Sequence, residues 1–157
     1  MEKIRVLVTG VGGGGHGHEL VKSLQLCDYY YIVGVDMEES SFGLFDVDES
    51  YVIPAASHRD YVAVLLDICI KRNIQVLIHG SEPELKAISE HRQLFRNIGV
   101  LPLVNTQSII DTGLDKWSTM SFLRENKFIH PKSMLISEFD DIPSNFPLPA
   151  VIKPVTG

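Results

Sequence analysis

Cysteine is scarce in this sequence: Cys27 and Cys69 are the only two among 157 residues. No metal-ligand spacing relates them and both fall in expected helices, so they read as reduced, buried thiols of a cytosolic protein. Long apolar runs are missing as well. No stretch approaches the ~20 apolar residues of a membrane span, and the opening MEKIRVLV leads straight into a strand pattern rather than a targeting segment. Basic residues are in deficit: 14 Lys and Arg face 20 Asp and Glu, a net charge of −6. That balance excludes a sequence-independent nucleic-acid binder, which needs a basic face. Up to residue 112 there is no Asn-Gly or Asp-Gly, the dipeptides of tight β-hairpins. Apolar side chains are plentiful at 45%, ample for a core, and the length suits one domain or one domain plus part of another.

Those apolar residues come in a repeating order. Residues 4–9 are a continuous, valine-rich run, as a strand buried on both faces should be. A glycine cluster follows, then a helix over 17–26 with Leu20, Val21 and Leu24 inward, and a second strand over 30–35 ending at Asp36. A third strand is expected over 51–53, stopped by Pro54. A helix over 59–72 follows, capped near Ser57 and Asp60 and buried along Val62, Leu65, Leu66 and Cys69. A fourth strand, 75–79, leads into GSEPEL, where Ser81 and Glu84 have the spacing of a capping box and Pro83 suits a first turn. That helix is expected to run to Gly99 along Leu85, Ile88 and Phe95, before a fifth strand (100–104) and a short helix (106–111). Strand–helix alternation predicts right-handed crossovers, hence a Rossmann-like α/β parallel sheet with helices on both faces. The pattern changes near Gly113. Asp115 caps a helix over 116–126 with Trp117, Met120 and Leu123 inward, and strands are expected over 133–136 and 150–153. The domains are therefore placed at 1–113 and 114–157, the second reading as the start of a larger lobe.

The glycine cluster, Gly10 to Gly17 in TGVGGGGHGHEL, needs a reason, because glycine costs roughly 0.5–1 kcal/mol against alanine inside a regular element. A triphosphate P-loop is excluded: His16, not lysine, follows Gly15. A dinucleotide site stays open. Gly10, Gly12 and Gly15 satisfy GxGxxG, and Asp36 stands 21 positions beyond Gly15, where a ribose hydroxyl is met. Against an NAD(P) oxidoreductase, no Tyr-x-x-x-Lys pair follows to handle a proton. His16 and His18 lack a third ligand, so no metal site is assigned.

The later segments GLDKWSTMSFLRENKFIHPKS and PLPAVIKPVTG resemble the ATP-grasp superfamily, especially proteins similar to the carbamoyl phosphate synthetase large subunit. Asp115-Lys116, Leu123, Pro131 and the run PAVIKP (149–154) occupy the places of that family's motifs, in order. GVD (34–36), the YVIP strand, EPEL (82–85) and FRNIGV (95–100) are similar to its N-terminal preATP-grasp domain. The resemblance implies an ATP-dependent ligase that joins a carboxylate to an amine or similar nucleophile through an acyl phosphate. It implies Lys116 and Lys153 as groups for the ATP phosphates, a role that suits a compact cation with three donors. A cation is disfavoured in a first helical turn, which also points to function for Lys116. The loop Gly12, Gly13, Gly14, Gly15 with Glu82 and Glu84 is implied on the substrate side, Glu84 reading first as a cap.

Mg²⁺ is implied with its acidic ligands outside this chain, so the chain alone is expected to be inactive. No catalytic residue is assigned within it. The family has glycine where the helix after Asp-Lys ends; Asn126-Lys127 stands here, so strain or an altered turn is expected. The expected partners are small molecules, a carboxylate and a nucleophile, without nucleic acid or membrane. A homodimer and a non-catalytic interaction module both stay open.

Overall fold

A computed structural model describes residues 2–13, 16–136 and 146–156. Gly14 and Gly15, two of the expected loop residues, lie outside the described residues. The chain divides into two compact units, residues 1–105 and 106–157.

The first unit holds five parallel strands: β1 (Ile4–Thr9), β2 (Tyr30–Asp36), β3 (Glu49–Val52), β4 (Val76–Ile78) and β5 (Leu101–Pro102). Their order in the sheet is β3-β2-β1-β4-β5. The α/β parallel architecture expected from the alternation is the one found. The β1 side chains part to the two faces. Val6 and Val8 join Val21 of α1 (Gly17–Leu24) and Ile32 on one side. Leu7 joins Val33, Val35 and Leu77 on the other, where α2 (Tyr61–Lys71), α3 (Glu82–Glu90) and α4 (Arg92–Asn97) contribute Leu65, Ile88 and Phe95. With both faces covered, the buried span of β1 from Val6 to Val8 is apolar on both sides.

Several local expectations are corrected. The helix over 82–98 is two helices, because its carbonyls are taken at the joint. The His91 ring meets the Ala87 carbonyl at 2.9 Å and the Arg92 Nε donates to Ser89 at 2.8 Å. Asp60 precedes α2 without a side-chain cap bond, so neither it nor Ser57 caps the helix as expected. Helix α1 stops at Leu24, which leaves Cys27 in the turn beyond it. Cys69 is buried on α2, where burial pushes its thiol up to about 12. Strand β5 keeps two residues, and Pro102, with no N–H to give, sits at the sheet edge where proline is tolerated.

The second unit contains α5 (Gln107–Leu114) and α6 (Lys116–Glu125). Asp115 caps α6 as expected, accepting from the Ser118 N–H at 2.6 Å. Trp117, Met120 and Leu123 are only half-buried, and α6 has no fully buried residue. Neither 133–136 nor 150–153 forms a strand: a strand needs a hydrogen-bonded neighbour, and neither stretch has one among the described residues.

Candidate functional site

The strand order reverses between β1 and β4, and the carboxyl ends of these strands are the usual place for a ligand in an open α/β sheet. The glycine loop follows β1, and the turn opening α3 follows β4. They are locked together: the His16 N–H donates to the Gly80 carbonyl at 2.8 Å. The contact is backbone against backbone. A Cβ on Gly80 would stand 2.2 Å from the Thr9 carbonyl oxygen and 2.8 Å from the Gly17 Cα. This is the physical need for glycine at these places. Gly10, at φ +61°, adds a left-handed turn that other residues resist.

Two buried carboxylates brace the loop. Asp36 accepts from the Gly12 N–H at 2.7 Å, the Ser41 hydroxyl at 2.8 Å and the Glu38 N–H at 3.0 Å. Glu84 accepts from the Gly80 N–H at 3.2 Å, with the Thr9 and Ser81 hydroxyls beside it. Burial pushes the Glu84 carboxyl above its ordinary value, with the Asp36 charge adding to that; the Thr9 and Ser81 hydroxyls and the Gly80 N–H oppose it. The expected capping box is thus displaced. Ser81 sits at the cap position without a side-chain cap bond, and Glu84 reaches past it to Gly80.

Glu82, two residues earlier, is exposed at the start of α3. His79 ends the β4 segment half-buried, and burial pulls its imidazole below the ordinary value. Gly13 is exposed at φ +88°.

The two halves of the dinucleotide signature meet each other here. The Gly12 amide, which a pyrophosphate would need, donates to Asp36, and the Asp36 oxygens a ribose would need are occupied. A buried glutamate against Gly10 further disfavours an anion. Thr9 and Tyr61 belong to the same cluster, and neither is among the site residues expected from the sequence. The Tyr61 hydroxyl is buried without a hydrogen bond of good geometry, and burial and the Glu84 charge push its phenol up. Thr9 carried a signal, a polar residue closing the valine-rich run of β1. Tyr61 carried none, since an aromatic in a helix reads as core. Among the described residues no three His, Cys, Asp or Glu gather as metal ligands.

The expected phosphate lysines lie in the second unit. Lys116 opens α6, and its N–H donates to the Val155 carbonyl at 2.9 Å, which brings the VIKP segment bearing Lys153 beside the helix start. Lys116 is half-buried and Lys153 exposed.

Comparison with known proteins agrees with this fold. The chain is similar to the biotin carboxylase domain of the 2-oxoglutarate carboxylase of Hydrogenobacter thermophilus, solved with MgADP, ADP and bicarbonate. The identity is 14%, over 81% of this chain and 28% of that one, with a TM-score of 0.59. It is similar to N5-carboxyaminoimidazole synthetase of Staphylococcus aureus (14% identity, 81% and 31%, TM-score 0.58). A third likeness is to glycinamide-RNase-transformylase T of Mycobacterium tuberculosis (14% identity, 78% and 35%, TM-score 0.57). The chain spans about a third of the length of these structures. No curated protein sequence matches it. The model of the family described as "PylC-like, N-terminal domain" matches residues 6–103. The chain therefore belongs to the PylC-like N-terminal domain family, with the preATP-grasp fold found at the start of ATP-grasp enzymes.

Proposed function

We propose that this chain is the N-terminal part of an ATP-dependent ligase of the carbamoyl phosphate synthetase type, acting in the cytoplasm. Residues 1–113 form its preATP-grasp domain and 114–157 begin its ATP-grasp domain. ATP and Mg²⁺ act as co-substrate and ion, and ATP supplies the phosphoryl group that makes a carboxylate reactive toward an amine or similar nucleophile. Gly12, Gly13, Gly14 and Gly15 with Glu82 and Glu84 form the substrate-side wall; Glu82 faces solvent, while Glu84 braces the loop from within. Lys116 and Lys153 hold the ATP phosphates, and the Mg²⁺ ligands come from beyond this chain.

The observation that carries the reading is the pairing of two backbone segments, Lys116 with Val155 at 2.9 Å. It brings together the two lysine-bearing motifs, 37 positions apart in sequence. The Asp36–Gly12 bond weighs against a dinucleotide at the glycine loop.

Titration calorimetry tests the proposal. The 157-residue chain should take Mg-ATP weakly, since exposed cation contacts contribute only about 0.2–1 kcal/mol each against several kcal/mol of association entropy. The longer polypeptide containing it should bind Mg-ATP well and lose roughly tenfold or more on Lys116→Ala or Lys153→Ala. Tight NAD binding, or tight Mg-ATP binding indifferent to both lysines, would overturn it.

A further inference from the structure

The segment between β2 and β3 carries a surface that neither the core nor the glycine loop uses. A short 3-10 turn, Phe42–Leu44, packs Gly43 so closely on the loop that a Cβ there would stand 2.1 Å from the Val11 carbonyl oxygen. Leu44 goes inward, while Phe42 and Phe45 are each 78% exposed. A 3-10 turn has three residues per turn, so these two rings stand on the same side. Met37 and Val52 are exposed as well, at 58% and 55%. A hollow of about 230 Å³ lies beside them, lined by Glu39, Leu44, Phe45, Ser50, Tyr51 and Val52, along the free edge of β3. Its volume is below the roughly 300–1,000 Å³ of a small-molecule pocket, and it suits one inserted side chain of a polypeptide. Isolated exposed apolar residues need no explanation, but several beside a hollow at a sheet edge call for one.

Charge identifies what it contacts. Between Lys22 and Arg59 the chain holds no lysine or arginine. Glu38, Glu39, Asp46 and Asp48 of this segment are exposed. Asp46 meets the His18 ring at 2.7 Å and Asp48 accepts from the Ile32 N–H, while Arg72 of the following segment lies on Tyr51, so Glu38 and Glu39 are the acids left to a partner. A second copy docked on a two-fold axis would oppose these acids to themselves. We propose that this face binds a basic amphipathic segment of a partner polypeptide. The segment places an apolar side chain in the hollow beside Phe45, and its lysines or arginines meet Glu38 and Glu39.

A labelled leucine–lysine amphipathic peptide, with a leucine–glutamate peptide of the same apolar pattern, tests this by fluorescence anisotropy at physiological ionic strength. The lysine peptide should bind saturably. The double variant Phe42→Ser, Phe45→Ser keeps every charge and should weaken it by roughly tenfold. Glu38→Lys, Glu39→Lys keeps the apolar face and should reverse the preference toward the glutamate peptide. Unchanged lysine-peptide binding by the phenylalanine variant would reduce the effect to bulk charge and overturn the proposal. Sedimentation showing a wild-type dimer that the phenylalanine variant abolishes would also overturn it, in favour of a second copy.

Discussion

In the first unit each face of the sheet is covered by helices of the same chain, and large side chains such as Tyr61, Phe95 and Leu7 are almost fully enclosed. In the second, α6 buries no residue completely, and Ile129, Val151 and Ile152 point into solvent at 102%, 80% and 72% exposure. Apolar residues are common in both, 50 of 105 in the first and 20 of 52 in the second, so content alone does not account for the contrast. Layering does: an apolar stripe gains roughly 25 cal/mol per Å² only when a second surface covers it. Backbone contacts differ in the same way. The first unit packs Gly17 and Gly80 against neighbouring main chain, whereas Gly113 of α5 has nothing within 4 Å of its would-be Cβ.

The same substitution should therefore have opposite signs in the two units. Gly80→Ala forces a methyl to 2.2 Å from the Thr9 carbonyl. Neither backbone can retreat without opening the β1–β4 junction, so a loss of about 3 kcal/mol is expected. Gly113→Ala meets open space in a helix and should stabilise its unit by about 0.5 kcal/mol. Denaturant titrations of both variants check this, and equal effects would erase the distinction between the units.

A smaller effect concerns the acid inside the glycine junction. Burial raises the Glu84 carboxyl above 4.5 in the folded chain, so folding is favoured with its proton on. That contribution is fully present below pH 4.5, the ordinary value, and is lost as pH rises through the raised folded value. Glu84→Gln removes the ionisation while keeping an oxygen for the Gly80 N–H. The stability of wild type relative to this variant should fall as pH rises from 4 through the mildly acidic range toward neutrality. A pH-independent difference would show that the carboxyl is not enclosed as described.

The fold was legible because β1 and β2 must be apolar on both sides, and glycine must stand where β1 and β4 release their loops. The joint at His91 was not, since the apolar stripe of α3 continues through α4 and only side chains bonding back to carbonyls interrupt it. At the site, the glycine loop and its glutamates could be located by spacing. What Asp36 and Glu84 do there could not, because spacing does not tell a carboxylate facing a ligand from one facing the backbone. The strands expected over 133–136 and 150–153 failed for a related reason: alternation and β-propensity describe a residue's fitness for a sheet, and the sheet itself has to be supplied by pairing.

The smallest effect tests the second unit at its tightest local feature. Helix α6 closes with Lys127 at φ +60°, where the Lys127 N–H donates to the Arg124 carbonyl at 3.1 Å and the Phe128 N–H to the Leu123 carbonyl at 2.9 Å. This is the arrangement in which α4 ends on Gly99 at φ +82°, with Val100 bonded to Phe95 at 3.0 Å. The expected departure from glycine thus left the turn intact and placed a Cβ in the left-handed region, at a cost of about 1–2 kcal/mol. Lys127→Gly removes that cost and loses part of it to the greater freedom of glycine when unfolded. The second unit should gain a few tenths to about 1 kcal/mol. Hydrogen exchange should slow at the α6 amides while those of β1 keep their rate. A gain spread equally over both units would mean that their stabilities are coupled as one. A loss would mean that the Lys127 side chain holds α6 in a way the backbone geometry does not require.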